Sequence, residues 1–180
     1  MIAQEPQILP KLNGISAKTI GVISDTHVPI RAKEIPKEVF KVFENVDYII
    51  HAGDLVQLSV IDELEQLAPV LAVYGNMDGP EIRGKLQKLS SLKIFDWKIG
   101  VQHNPGVLFG VGKMRTIAKT NRFNVMIYGH THNSNMKWEG DTLFINPESP
   151  TNPAQPLIAK PTVALLRITK QHITPQIIQI

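Results

Sequence analysis

The stretch Thr19–His27, "TIGVISDTH", decides how this chain is read. Its apolar, β-branched run marks a buried strand, and the run stops where three polar residues begin. The same design returns as "VDYIIHAGD" (Val46–Asp54) and "PVLAVYGNMD" (Pro69–Asp78). Between these runs, "PKEVFKVFE" and "LSVIDELEQLA" carry apolar residues at helical spacing. In the second, Val60, Ile61, Leu64, Leu67 and Ala68 form one stripe, with Asp62, Glu63, Glu65 and Gln66 opposite. Strand, helix, strand, helix, strand predicts right-handed βαβ units and a parallel sheet.

The second half changes character. "SLKIFDWKIGVQH" predicts a hairpin, "LFGVGKMRTIAKTN" a helix and "FNVMIY" another buried strand. "NMKWE" and "TLFIN" predict a hairpin turning at Gly140–Asp141, and "TVALLRIT" and "HITPQIIQI" close the chain as antiparallel neighbours. "NPESPTNPAQPLIAKP" holds five of the 13 prolines, which predicts an extended loop. The expected fold is α/β: an α/β/β/α sandwich of two facing mixed sheets with flanking helices. Residues 1–18 are expected to be a tail or an added edge strand, and residues 19–180 the domain.

Composition bounds the chemistry. At 180 residues the chain is long enough for one well-buried core. It has no cysteine, which excludes disulfides, thiolate metal sites and thiol nucleophiles. The net charge is +3, and the densest basic stretches are Arg83–Lys88 and Lys113–Arg122. At so small a charge these read first as solvated faces. A nucleic-acid partner has no base-stacking motif to support it. No apolar run reaches the ~20 residues of a membrane span, and the N-terminus lacks the pattern of a secretory signal, so a cytoplasmic protein is expected.

Each strong strand delivers polar residues at its carboxyl end, where open α/β sheets collect ligands. Asp25 and His27 follow the first, Asp54 the second, Asn76 and Asp78 the third, His103 the strand "KIGVQH", and His130 and His132 the last. Five of the six histidines, His51 included, lie at strand ends; His172 falls outside and reads as structural or surface. Each piece alone is an ordinary turn, since Asp and Gly suit turns anyway. The ordered set "DTH", "GD", "GN", "QH" and "GHTH" instead points to a metal site. Nitrogen and oxygen ligands without thiolate favour Mn²⁺, Ni²⁺, Fe²⁺ or Zn²⁺, and so many imidazoles argue against calcium or magnesium alone.

From about Thr19 onward these motifs resemble the calcineurin-like metallophosphoesterase superfamily, in particular its small single-domain archaeal and bacterial phosphodiesterases. The resemblance implies a four-layer sandwich with a binuclear metal centre. One ion would be held by Asp25, His27, Asp54 and His132, the other by Asp54, Asn76, His103 and His130, with Asp54 bridging. Asp54, Asn76, His103 and His130 would also serve catalysis, with Mn²⁺ the first choice of metal. It further implies hydrolysis of a small phosphoester, more readily a diester, by a metal-bridging hydroxide; the oligomeric state is left open. Three positions depart from relatives: "QHNP" stands for "THGH", Glu148 for a glycine, and Met77 for the histidine acid of larger phosphatases. The leaving oxygen must then depart with help from metal, water or Asp78. "GVLFGVGK" is not a phosphate loop, since its glycine spacing is one too long and Met114 replaces Ser or Thr. "DTHVPIRAKEIPKEVF" also resembles the retromer subunit that uses this fold as a protein-binding scaffold. That subunit has Asn for the bridging Asp and Asp for the ligand Asn, whereas Asp54 and Asn76 are intact here.

Overall fold

A computed structural model describes residues 16–104, 112–153 and 160–180. The tail before residue 16, the glycine-rich run at 105–111 with Pro105, and the loop centre at 154–159 lie outside the described residues.

The first half folds as β1 (Lys18–Ile23), α1 (Lys37–Phe43), β2 (Tyr48–His51), α2 (Ser59–Glu65), β3 (Val70–Ala72) and α3 (Pro80–Lys85). The second half follows with β4 (Ser90–Ile94), β5 (Trp97–Val101), α4 (Gly112–Asn121), β6 (Val125–Ile127), β7 (Asn135–Glu139), β8 (Thr142–Asn146), β9 (Thr162–Ile168) and β10 (Ile173–Gln179). Two five-stranded sheets result, in the orders β10-β9-β1-β2-β3 and β4-β5-β6-β8-β7. β1, β2 and β3 are parallel, as the βαβ pattern requires, while β9 and β10 add antiparallel partners beyond β1. The second sheet is mixed too: β5, β6 and β8 run parallel, with β4 and β7 antiparallel at its edges.

The period-two alternation of the strands sorts side chains into layers. Ile20, Val22, Ile50, Ile99, Val125, Ile145 and Leu166 fill the space between the sheets. Ile23, Ile49 and Leu165 point the other way and meet Val39 and Phe43 of α1, Val60 and Leu64 of α2 and Ile82 of α3. Met114 and Ala118 of α4 cover Met126 and Phe144 of the second sheet. The layers are therefore helix, sheet, sheet, helix. Each fully buried Ile, Leu or Phe contributes roughly 1.5–3 kcal/mol.

The helix α3 has no counterpart in the sequence expectation. It spans six residues with Pro80 in its first turn, too short for a periodic apolar stripe to declare itself. No helix among the described residues is long and apolar enough to cross a membrane. The basic stretch 113–122 lies largely within α4, where Arg115 pairs with Glu139 at 2.6 Å. His172 is exposed in the β9–β10 turn, its amide donating to the Thr169 hydroxyl at 2.9 Å.

Candidate metal centre

The loops leaving β1, β2, β3, β5 and β6 meet at one end of the sandwich. Asp25 N–H donates to Gly53 C=O at 2.9 Å and His27 N–H to Asp54 C=O at 3.0 Å, which ties the first two loops together. Asp25, His27, Asp54, His130 and His132 all have φ between 48° and 74°. Left-handed backbone at non-glycine residues costs about 1–3 kcal/mol each and gathers at functional sites. Two glycines permit the close approach. A Cβ on Gly75 would stand 2.1 Å from Asp54 Oδ1, and one on Gly129 would stand 2.0 Å from Ser24 Oγ and 2.6 Å from Asp25 Oδ2.

All seven residues picked out by sequence converge here. His132 Nε2 lies 3.2 Å from Asp25 Oδ1 and 3.1 Å from His27 Nε2. His103 Nε2 lies 3.2 Å from Asp54 Oδ2 and 3.0 Å from Asn76 Oδ1, and His130 Nδ1 is 2.8 Å from the same Asn76 oxygen. Asp54 Oδ2 sits between the two groups, 3.8 Å from His27 Nε2, and Asp25 Oδ1 reaches toward both, 3.9 Å from His27 and 4.0 Å from His103. Two overlapping clusters of potential metal ligands therefore exist, Asp25–His27–His132 and Asp25–Asp54–His103.

Hydrogen bonds outside the cluster fix which ring atoms face inward. His103 Nδ1 is 2.9 Å from Ala52 C=O, and His132 Nδ1 contacts Asn152 C=O. A carbonyl only accepts, so both Nδ1 atoms carry protons and both Nε2 atoms turn lone pairs toward carboxylate oxygens. Acceptor facing acceptor at 3.2 Å is repulsive unless a cation lies between. Without metal a second proton fills that role. Burial opposes charging His103, but Asp54 and Asp25 outweigh it and raise its pKa above the ordinary imidazole value. Burial likewise opposes charging His132, and Asp25 reverses the balance. His27 and His130 go the other way, lowered first by burial. Burial would raise both carboxyls, yet His132, His103 and Ser24 hold Asp25 low, and His103 and the Met77 amide hold Asp54 low. A donor set of imidazole lone pairs and ionised carboxylates, braced by outer carbonyls, fits a divalent transition metal.

Three supporting residues carry roles that the sequence reading missed. Asp78 is 3% exposed and accepts the amides of Asp54 (3.0 Å), Val56 (2.7 Å) and Gly75 (2.6 Å). It anchors the two loops that bear Asp54 and Asn76, and is turned away from the cavity; the expectation that it could supply a proton to the leaving oxygen is corrected. Arg83 of α3 clasps the same loop, donating to the carbonyls of Asp78 (2.7 Å), Asn76 (2.9 Å) and Gly75 (3.2 Å). Fully buried His51 accepts the Gly53 amide on Nδ1 at 3.1 Å, so its Nε2 carries the proton toward Thr26 Oγ1, also at 3.1 Å. Burial pulls its pKa down to about 3, which keeps the ring neutral. Asp78 and His51 were visible as strand-end polar residues, but nothing local says which way such a side chain turns.

An open cavity of about 430 Å³ lies over the cluster, lined by His27, Asp54, Asn76, His130 and His132 and walled by Met77 and Arg31. Glu148 does not reach it. Its backbone takes φ 70°, the conformation a glycine would adopt freely, and its carboxylate accepts from Thr162 Oγ1 at 2.8 Å. The model of the calcineurin-like phosphoesterase superfamily domain matches residues 19–171.

The chain belongs to this superfamily.

A probable metallophosphoesterase of Methanocaldococcus jannaschii is 46% identical over 141 residues, covering 77% of this chain and 71% of that protein. A phosphodiesterase of the same organism is 38% identical over 144 residues, covering 71% and 81%. Among solved structures, vacuolar protein sorting 29 of Cryptosporidium parvum superposes with a TM-score of 0.80 over 91% of this chain and 92% of that one. At 21% identity that likeness concerns the fold alone. Superfamily membership and the Asp/His cluster together make this calcineurin-like chain a metal-dependent phosphoesterase.

Proposed function

We propose that this chain is a binuclear phosphodiesterase in which two divalent transition-metal ions, Mn²⁺ first among them, occupy the cluster. Asp25, His27, Asp54 and His132 would hold one ion, and Asp54, Asn76, His103 and His130 the other. The observation that carries the reading is the pair of inward Nε2 atoms, on His103 and His132, facing carboxylate oxygens at 3.2 Å. When bound, such ions supply Lewis acidity and a nucleophilic water at neutral pH.

The chain's own groups do the rest. Asp25 and Asp54 return only two of the four positive charges, so the site stays electropositive toward a phosphoryl group. Ala52 and Asn152 carbonyls hold the rings of His103 and His132 in the ligating tautomer. Met77, 42% exposed on the cavity wall, has no proton to give, and Asp78 is committed to three amides. Esters with acidic leaving groups are therefore favoured. A diester carries one charge less than a monoester dianion and needs less neutralisation, which supports the diester preference, as does the name of the 38% identical relative.

A scaffold reading has the fold likeness behind it. Against it, Asp25 and Asp54 are buried, at 0% and 2% exposure, in a cluster where the cations among the described residues nearest to them are imidazoles that must be protonated to carry charge. Burying ionised carboxylates without a counter-charge is costly, which metal removes. Elemental analysis after Mn²⁺ incubation, joined to assays on aryl diesters and monoesters, tests the proposal. Metal retained by the wild type and lost in Asp54→Ala, with activity following metal, is expected. A wild-type chain that retains no transition metal and hydrolyses neither ester overturns it.

A further inference from the structure

Arg31 lies in the turn after the first strand end, where its amide donates to His27 C=O at 2.9 Å. It is exposed and lines the same cavity as His27, Asp54, His130 and His132. Arg83 is held by three carbonyls and Arg115 by Glu139, but the Arg31 guanidinium has no hydrogen bond or ion pair among the described residues. The fold thus leaves one unpaired planar cation at the rim of an anion-attracting cavity.

We infer that Arg31 binds phosphoryl oxygen of the substrate and sets how well the site accepts a dianionic monoester beside a monoanionic diester. This rests on the phosphoesterase reading. A diester offers two terminal oxygens and one negative charge, whereas a monoester offers three and up to two charges. The additional oxygen and charge need a donor outside the metal cluster. A guanidinium presents a fork of N–H groups that matches phosphate oxygens. Arg31 therefore contributes more to monoesters, and to inorganic phosphate as their product, than to diesters.

The test compares wild type, Arg31→Lys and Arg31→Gln after Mn²⁺ loading, with metal content and thermal midpoint as controls. Calorimetry measures inorganic phosphate affinity, and kcat/KM is measured for p-nitrophenyl phosphate and bis-p-nitrophenyl phosphate, which share a leaving group. Arg31→Gln should keep its metal and its midpoint, since no structural bond is lost. It should bind phosphate about tenfold more weakly, equivalent to about 1.4 kcal/mol. Its kcat/KM should fall about tenfold on the monoester and less than about threefold on the diester, with Arg31→Lys between. Unchanged phosphate affinity, or equal losses on the two esters, overturns the assignment while the wild-type activity still stands. A wild-type chain that takes up no metal and hydrolyses neither ester removes the phosphoesterase reading and this assignment with it.

Discussion

Replacing Asp78 by asparagine separates an anchor from a proton donor. The carboxylate accepts the amides of Asp54 and Gly75 on one oxygen, at 3.0 and 2.6 Å, and that of Val56 on the other, at 2.7 Å. An asparagine keeps one oxygen, so its best rotamer retains the Asp54 and Gly75 bonds and turns an NH₂ toward the Val56 amide. Bonds to a charged acceptor contribute ~1.5–3 kcal/mol and to a neutral one ~0.5–1.5, so the two retained bonds lose about 2 kcal/mol together. The orphaned Val56 amide adds about 1 kcal/mol, the low end, because Val56 is only half-buried and water reaches it. The sum is about 3 kcal/mol. At roughly 2–4 °C per kcal/mol for a domain of this size, the thermal midpoint of metal-free protein should fall by roughly 6–12 °C. Mn²⁺ affinity should fall as well, because the tether on both loops that carry Asp54 and Asn76 is weakened, with two bonds passing to a neutral acceptor and the Val56 bond lost. Differential scanning calorimetry of the chelated protein, then metal titration, gives both numbers. A midpoint within about 2 °C of wild type, with kcat lost selectively for poor leaving groups, would refute the anchor and restore Asp78 as the acid.

Three further outcomes follow from the site. His51 is neutral when folded, with a pKa of about 3 against 6.5 when unfolded, so its contribution is complete above pH 6.5 and declines as pH falls toward 3. Metal-free wild type should lose stability at up to about 1.4 kcal/mol per pH unit more steeply than His51→Asn across that window, by denaturant titration; equal slopes would contradict the buried neutral ring. Gly129→Ala places a methyl 2.0 Å from Ser24 Oγ and 2.6 Å from Asp25 Oδ2, and should cost at least tenfold in Mn²⁺ affinity by calorimetry. Unchanged affinity would mean that the loop yields without moving Asp25. Wild-type rates over a series of aryl and alkyl diesters should fall steeply as leaving-group pKa rises, and Met77→His should flatten that series. A flat wild-type series would reveal a proton donor and dispose of the role given to Met77.

Local chemistry explains how much of this protein its sequence determines. Strand runs such as Thr19–Ser24 and Val125–Tyr128 are read from period and β-branching, which act within a few residues. The polar residues after them are read from where the apolar run stops. The seven strand-end residues that converge beneath the cavity, the βαβ half and the closing antiparallel strands were legible on that basis. Matters settled by contacts between distant residues were not. His130 meets Asp25 across 105 positions, and His132 meets His27 across the same span, through backbone and ring geometry that no local pattern encodes. The place of β9 beside β1, the six-residue α3, the inward lone pairs of His103 and His132, the turned-away Asp78 and the unpaired Arg31 belong to the same class. A side chain's type is written in the sequence, but its partner depends on which strand ends the packed sheets bring together, and only the tertiary structure decides that.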